Sequence, residues 1–255
     1  MAGASPAGLA PATLADLDVV VLAGGLGTRL RPAVADRPKA LAQVGGRPFL
    51  DLLLAWLHGQ GARRVVLALG HMADQVEARL GDLCSRFPGL ELRASVEPGP
   101  LGTGGALRHC LPLLRSDPVL VANGDSLAEA DLAGFLAAFL AAADAPAAGL
   151  VAVGVPDASR YGRLELSPEG RVLRFAEKDP AFAGPAPING GVYLFRHDLL
   201  LERLPPAGTA GSLERDLLGR LPPGSALAFP GSGRFVDIGT PESLAAAAEI
   251  LSPYL

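Results

Sequence analysis

The sequence predicts an α/β fold: a mostly parallel, mixed sheet with helices on both faces and a small β-rich subregion. Three observations predict it. Short apolar, β-branched runs alternate with stretches of helical apolar spacing. The first such run stops at two glycines, as a buried parallel strand stops at a ligand-facing loop. From Gly149 onward the helical stretches thin out and strand-like runs follow one another. A chain of 255 residues, 49% of them hydrophobic, is long enough to bury one large core. The economical reading is therefore a flexible leader over residues 1–15 and a single domain over 16–255.

The elements follow in order. Asp18 to Ala23 (DVVVLA) is the first strand, and Pro48 to His58 has the apolar spacing of a buried helix, with proline tolerated in its first turn and Gly59 ending it. Arg64 to Leu69 is a second strand, Ala73 to Leu80 a helix, and Leu90 to Val96 a third strand. A loop and a helix over Gly104 to Leu113 lead to a fourth strand at Val119 to Ala122. This alternation implies right-handed crossovers and ligands gathered at the carboxyl ends of the strands. Both Gly24–Gly25 and Asn123–Gly124–Asp125 fall at such ends.

In the second part, Leu150 to Val155 reads as a strand. Gly162 to Leu166 and Val172 to Phe175 form a hairpin about Ser167–Pro168–Glu169–Gly170. Ile188 to Phe195 is a further strand, Ser212 to Leu218 a short helix, Arg234 to Val236 a last strand and Pro241 to Ile250 a closing helix. No repeat of hexapeptide or longer period is visible, so no trailing solenoid is expected.

Composition narrows the function. A net charge of −4 argues against a nonspecific grip on nucleic acid, although Arg29, Arg31, Arg37 and Lys39 form a local basic cluster suited to a small anion. The alanine-rich run Leu132 to Ala143 is shorter than the roughly 20 residues of a bilayer span, and the leader lacks the basic start and apolar centre of a secretory signal. Cys84 and Cys110 adjoin no zinc-like cluster and read as buried thiols of a reducing compartment, which points to the cytoplasm. Of the 22 lysines and arginines only Lys39 and Lys178 are lysines, and the only asparagines are Asn123 and Asn189. A drift toward arginine is harmless on a solvated surface but not where a compact ammonium is needed, so these four survivors are functional candidates.

The run Gly24–Gly25–Leu26–Gly27–Thr28–Arg29 lets backbone amides approach a polyphosphate, with a hydroxyl and a guanidinium adding hydrogen bonds. Leu30 stands where a dinucleotide fingerprint would have its third glycine, and the run is not a GxxxxGK loop. By itself it also fits a plain strand-to-helix turn. Lys39, stiffened by Pro38, can serve a phosphate in a transition state. Asp125 and Asp237 stand at strand ends, where two carboxylates can share one Mg²⁺ that keeps water and phosphate oxygens as its other ligands. Each could equally cap a turn or a helix. The histidines stand singly and are assigned nothing, and no Ser/His/Asp arrangement suggests a hydrolase.

LAGGLGTRLRP, the PK of DRPKAL, EPGPLGTGGAL, NGD, FAEK, INGGVY and FVDIGTPE occur in that order from Leu22 to Glu242. With these motifs the chain resembles the sugar-1-phosphate nucleotidyltransferases. Among them it is most similar to bacterial D-glycero-D-manno-heptose 1-phosphate guanylyltransferases, with mannose-1-phosphate guanylyltransferases and muramic acid or glucose phosphate nucleotidyltransferases nearby. The resemblance implies a Rossmann-like nucleotide-diphospho-sugar transferase fold, with residues 16–148 mainly binding NTP and 149–255 mainly binding the sugar phosphate. It implies that Leu22, Ala23, Gly24, Gly25, Gly27, Thr28, Arg29 and Lys39 hold the nucleotide, and that Glu97 meets the base beside Gly102 and Thr103. A carboxylate there suits guanine, whose N1–H and amino group are adjacent donors. Gly124, Gly162, Glu177, Lys178, Asn189 and Gly190 are implied to face the sugar phosphate, and Asp125 and Asp237 to be the metal ligands. Ala40 departs from the family's second proline without removing a reactive group.

The expectation is a Mg²⁺-dependent transferase with Arg29, Lys39, Asp125 and Lys178 as its catalytic residues. Its partners are an NTP, GTP by the Glu97 argument, and a sugar 1-phosphate, with no nucleic acid and no membrane; it is a monomer or a homodimer. A noncatalytic sugar-nucleotide sensor, a glycosyltransferase and a nicotinamide dehydrogenase are the competing classes. Pyrophosphate release from an NTP separates the transferase from all three.

Overall fold

A computed structural model of the chain describes residues 13–30, 34–176 and 181–255. The first strand β1 (Asp18–Leu22) is buried along its length, and the described chain before it makes a turn at Leu14–Asp16 that seats Leu14 in the core. A turn at Lys39–Leu41 leads to a small ladder of β2 (Gln43–Val44) and β3 (Arg47–Pro48), then to α1 (Phe49–Gly59) and β4 (Arg64–Leu69). The helix expected over Ala73 to Leu80 is two: α2 (Ala73–Glu77) and α3 (Leu80–Arg86). The break falls at Arg79, whose guanidinium joins that of Arg86 on the fully buried Asp51 of α1. That clasp pins both short helices to the core.

The chain continues with β5 (Glu91–Val96), α4 (Gly102–Cys110), β6 (Val119–Asn123) and β7 (Ser126–Ala128). The alanine-rich run forms α5 (Leu132–Ala141), started by the Asp131 side chain accepting from the Gly134 N–H. Then come β8 (Ala148–Val155), β9 (Arg163–Leu166), β10 (Arg171–Ala176), β11 (Ala186–Phe195) and α6 (His197–Arg203). The short helix expected at Ser212 to Leu218 is present as one π-helical turn at Leu213–Leu217, capped by Ser212 and continued by a 3₁₀ turn at Leu218–Arg220. The last elements are β12 (Ala226–Pro230), β13 (Phe235–Asp237) and α7 (Pro241–Ile250).

Among the described residues nine strands build one mixed sheet in the order β5-β4-β1-β6-β11-β8-β12-β10-β9. The parallel stretch expected from the alternation is β5, β4, β1 and β6. Beyond β6 the sheet turns antiparallel at β11 and stays mixed to its far edge. Leucine- and phenylalanine-rich cores cover both faces. β13 pairs with β7 as a separate ladder, which brings the C-terminal part of the chain back over the end of β6. Among the described residues no helix is long and apolar enough to cross a membrane. Cys110 is buried as expected, but Cys84 is exposed, because it lies on the outward side of α3; both are free thiols.

Candidate active site

The carboxyl ends of β1, β4, β5 and β6 open into a cleft of about 730 Å³. The glycine run forms one wall: Leu22, Ala23, Gly24, Gly25, Gly27 and Thr28 all line it. Leu30, only 1% exposed, pegs the run into the core, and its N–H closes a turn on the carbonyl of Gly27, whose φ of +59° lies in the left-handed region. The residue that breaks the dinucleotide pattern is thus the loop's anchor.

Lys39 reaches the cleft from the turn after Pro38, and its Nζ donates to Asp125 Oδ2 at 2.6 Å. Of the basic cluster, Lys39 is the member that lines the cleft among the described residues. Arg37 is tied to Asp36, Arg29 is exposed beside the loop, and Arg31 lies outside the described residues.

Asp125 and Asp237 come together through backbone pairing. Asp237 ends β13 opposite Ser126, and the Ile238 N–H donates to the Asp125 carbonyl at 2.9 Å. Burial and then the Asp125 charge push the Asp237 carboxyl above its usual value, while Lys39, the Gly239 N–H and Arg29 draw it back in part. Two carboxylates of like charge beside the glycine loop form an oxygen-only donor pair suited to a hard divalent cation. Among the described residues no three Asp, Glu, His or Cys side chains gather, so such an ion would take its other ligands from water and phosphate.

Glu97 lines the same cleft, as do Gly102 and Thr103. Its Oε2 accepts from the Leu101 N–H at 3.1 Å, just before α4. Its Oε1 lies over Gly70 and Gly24, where a Cβ on Gly70 would come within 2.3 Å of it. Burial raises the Glu97 carboxyl above the ordinary value, partly offset by that N–H and by His109.

Three of the described lining residues carried no local sequence signal: Gly70, His71 and Glu214; Asn123, one of the two asparagines singled out by composition, lines the cleft as well. Gly70 and His71 arrive because β4 lies next to β1, and Glu214 because the turn at Leu213–Leu217 folds over α4. Thr103 Oγ1 and Ser212 Oγ each donate to Glu214 Oε2 at 3.0 Å. Gly124 also lines the cleft, packed so closely that a Cβ would meet the Leu22 carbonyl at 2.7 Å. Gly162 lies just before β9 and Asn189 and Gly190 within β11; none of the three lines this cleft. Glu177 and Lys178 lie outside the described residues.

Residues 18–252 match the family described as Nucleotidyl transferase. The chain is a member of that family. This nucleotidyl transferase is 30% identical over 245 residues to a D-glycero-alpha-D-manno-heptose 1-phosphate guanylyltransferase of Aneurinibacillus thermoaerophilus, covering 94% of this chain and 100% of that protein. It is 36% identical over 231 residues to a mannose-1-phosphate guanylyltransferase of Mycobacterium tuberculosis, covering 89% of this chain and 62% of the relative. In structure it is similar to HddC from Yersinia pseudotuberculosis, with a TM-score of 0.80 at 33% identity over 91% of this chain and 98% of that one. HddC has also been solved complexed with GMP-PN, and that structure matches with a TM-score of 0.79.

Proposed function

We propose that this transferase moves GMP from GTP to D-glycero-α-D-manno-heptose 1-phosphate, forming the GDP-sugar and pyrophosphate. The observation that carries the reading is the Lys39–Asp125 contact at 2.6 Å in the cleft of the glycine loop, which sets a compact cation and a metal-type carboxylate at a polyphosphate site. Glu97, an acceptor-only side chain in the same cleft, supports guanine, as does the likeness to a structure holding GMP-PN. Full-length similarity to a heptose guanylyltransferase supports the acceptor. The similarity to a mannose-1-phosphate guanylyltransferase makes mannose 1-phosphate the second acceptor to test.

In this reading Gly24, Gly25, Gly27, Thr28 and Arg29 hold the triphosphate, and Gly102 and Thr103 flank the base. Gly124, Gly162, Glu177, Asn189 and Gly190 receive the sugar, and Lys178 steers its phosphate. An acceptor phosphate oxygen, ionised near neutral pH, attacks the α-phosphorus in line; the bond to the β-phosphate oxygen breaks and pyrophosphate leaves with that electron pair. Lys39 and Arg29 offset the charge that spreads over the phosphate oxygens, so no general base and no covalent enzyme intermediate are required. Asp125 and Asp237 would hold a divalent cation, Mg²⁺ in this proposal, whose charge would polarise the phosphate oxygens. The cytoplasm, with its nucleotide pool and reduced thiols, is the compartment that goes with this reading.

The test is pyrophosphate release by purified protein with Mg²⁺, crossing GTP, ATP, UTP, CTP and dTTP with heptose, mannose, glucose and N-acetylmuramic acid 1-phosphates. The strongest signal is expected from GTP with the heptose. A different best pair would move the specificity and keep the chemistry, whereas silence across the grid would overturn the transferase reading.

A further inference from the structure

The chain keeps two asparagines, and the structure brings both to the same bulge of β11, beside one buried hydroxyl. Tyr193 of β11 is 0% exposed. Asn189 Nδ2 donates to its phenol oxygen at 2.9 Å, while Asn123, which ends β6, packs against Gly191 of β11 and keeps its buried Oδ1 without a hydrogen-bond partner among the described residues. Burial and the nearby Glu214 charge push the phenol well above its ordinary range, so it stays neutral. The three residues straddle the seam between β6, which ends the parallel half of the sheet, and β11, which begins the antiparallel half.

The backbone is shaped around this contact. The β11–β8 register shifts between Asn189 and Tyr193, so the strand bulges there and turns Asn189 back toward the phenol. Within the bulge Gly191 has a φ of +77°, and a Cβ on it would meet Ser126 Oγ at 2.6 Å and Asn123 Nδ2 at 2.9 Å. Asn189 Oδ1 accepts the Gly191 N–H at 3.0 Å, which closes the arrangement. Asn123 directly precedes Gly124–Asp125 at the nucleotide cleft, and Asn189 lies in the half assigned to the sugar.

We infer that Tyr193 is a positioning residue, whose hydroxyl fixes Asn189 and, through Asn189, the Gly191 bulge that packs against Asn123 before Asp125, and so holds the two substrate sites in register. This rests on the transferase reading proposed above. A polar group buried only for packing would satisfy its own bonds without affecting turnover, whereas a tie between two sites acts on the alignment of the reacting groups.

The experiment measures kcat and KM for both substrates in Tyr193→Phe, Asn189→Ala and the double variant, with melting temperature alongside. Phe195→Leu serves as the packing control, since the Phe195 ring stacks on that of Tyr193 at 5.6 Å and is itself fully buried. Tyr193→Phe is expected to lose about tenfold in kcat, the effect of one lost hydrogen bond at alignment. The double variant is expected to lose no more than Asn189→Ala, and Phe195→Leu to lower the melting temperature while keeping kcat. Wild-type kinetics in Tyr193→Phe, or losses that multiply fully in the double variant, would overturn the inference alone. A silent wild type would overturn the transferase reading and this inference with it.

Discussion

Gly70→Ala probes base selection with a single methyl group. The new Cβ would stand 2.3 Å from Glu97 Oε1 and 2.7 Å from the Gly24 carbonyl, where ordinary contact begins at 3.4 Å. The Glu97 carboxylate, the far end of a flexible side chain, is the part that retreats, by about 1 Å, and the backbone shifts by a few tenths of an ångström to relieve the Gly24 carbonyl; a misplacement of about 1 Å costs roughly 10²-fold in rate. Steady-state kcat/KM for GTP should fall by about that factor. For ATP, which the Glu97 carboxylate does not favour, it should fall much less, so the GTP-to-ATP preference narrows. Circular dichroism and melting temperature verify that the variant is folded. A folded Gly70→Ala enzyme with the wild-type GTP-to-ATP ratio would refute the assignment of Glu97 as the base reader.

Other perturbations address the phosphate end and the scaffold. Lys39→Arg keeps the charge but puts a planar fork where a compact ammonium only 12% exposed meets Asp125. Its kcat should fall about 10²-fold, as when one transition-state donor is lost, and full activity would remove the argument for lysine at that position. Asp125→Asn should raise the Mg²⁺ concentration for half-maximal rate by more than about tenfold, since even an outer partner of a metal ligand costs that much; unchanged turnover at limiting Mg²⁺ would sink the metal assignment. Burial alone would raise the Asp18 carboxyl, but Arg64 and the N–H groups of Arg115 and Ser116 outweigh it and hold it below 3.8. The stability it contributes is complete above the ordinary carboxylate value and lost as pH falls through the lowered one. Asp18→Asn should therefore lower the melting temperature at pH 7 and flatten its decline in acid, and an identical pH profile would contradict the role.

The legible parts of the site are those whose chemistry is local in sequence. The glycine loop, Pro38–Lys39, Glu97 and Asn123–Gly124–Asp125 each sit at a strand end or turn that the alternation of elements already marks. The parallel half of the sheet was readable for the same reason. What escaped depends on pairing between distant segments. Glu214 meets Thr103 across 111 residues, and nothing around Ser212–Glu214 signals a cleft. Gly70 and His71 line the site only because β4 pairs with β1. The strand Ala226–Pro230 is short, lacks alternation and is held by its parallel neighbour β8, so its own sequence gives little sign of it. The break between α2 and α3 follows from Arg79 and Arg86 converging on Asp51, a contact that periodicity does not encode.

The central claim is a one-step transfer of GMP, and the most direct measurement follows the α-phosphate. GTP labelled with ³²P at that position is incubated with the enzyme, Mg²⁺ and the heptose 1-phosphate, then quenched within a single turnover. The account predicts label in the GDP-sugar, an equal amount of unlabelled pyrophosphate, and none bound to protein. Label covalently attached to the enzyme, or bound GTP that never yields a labelled sugar, would contradict it.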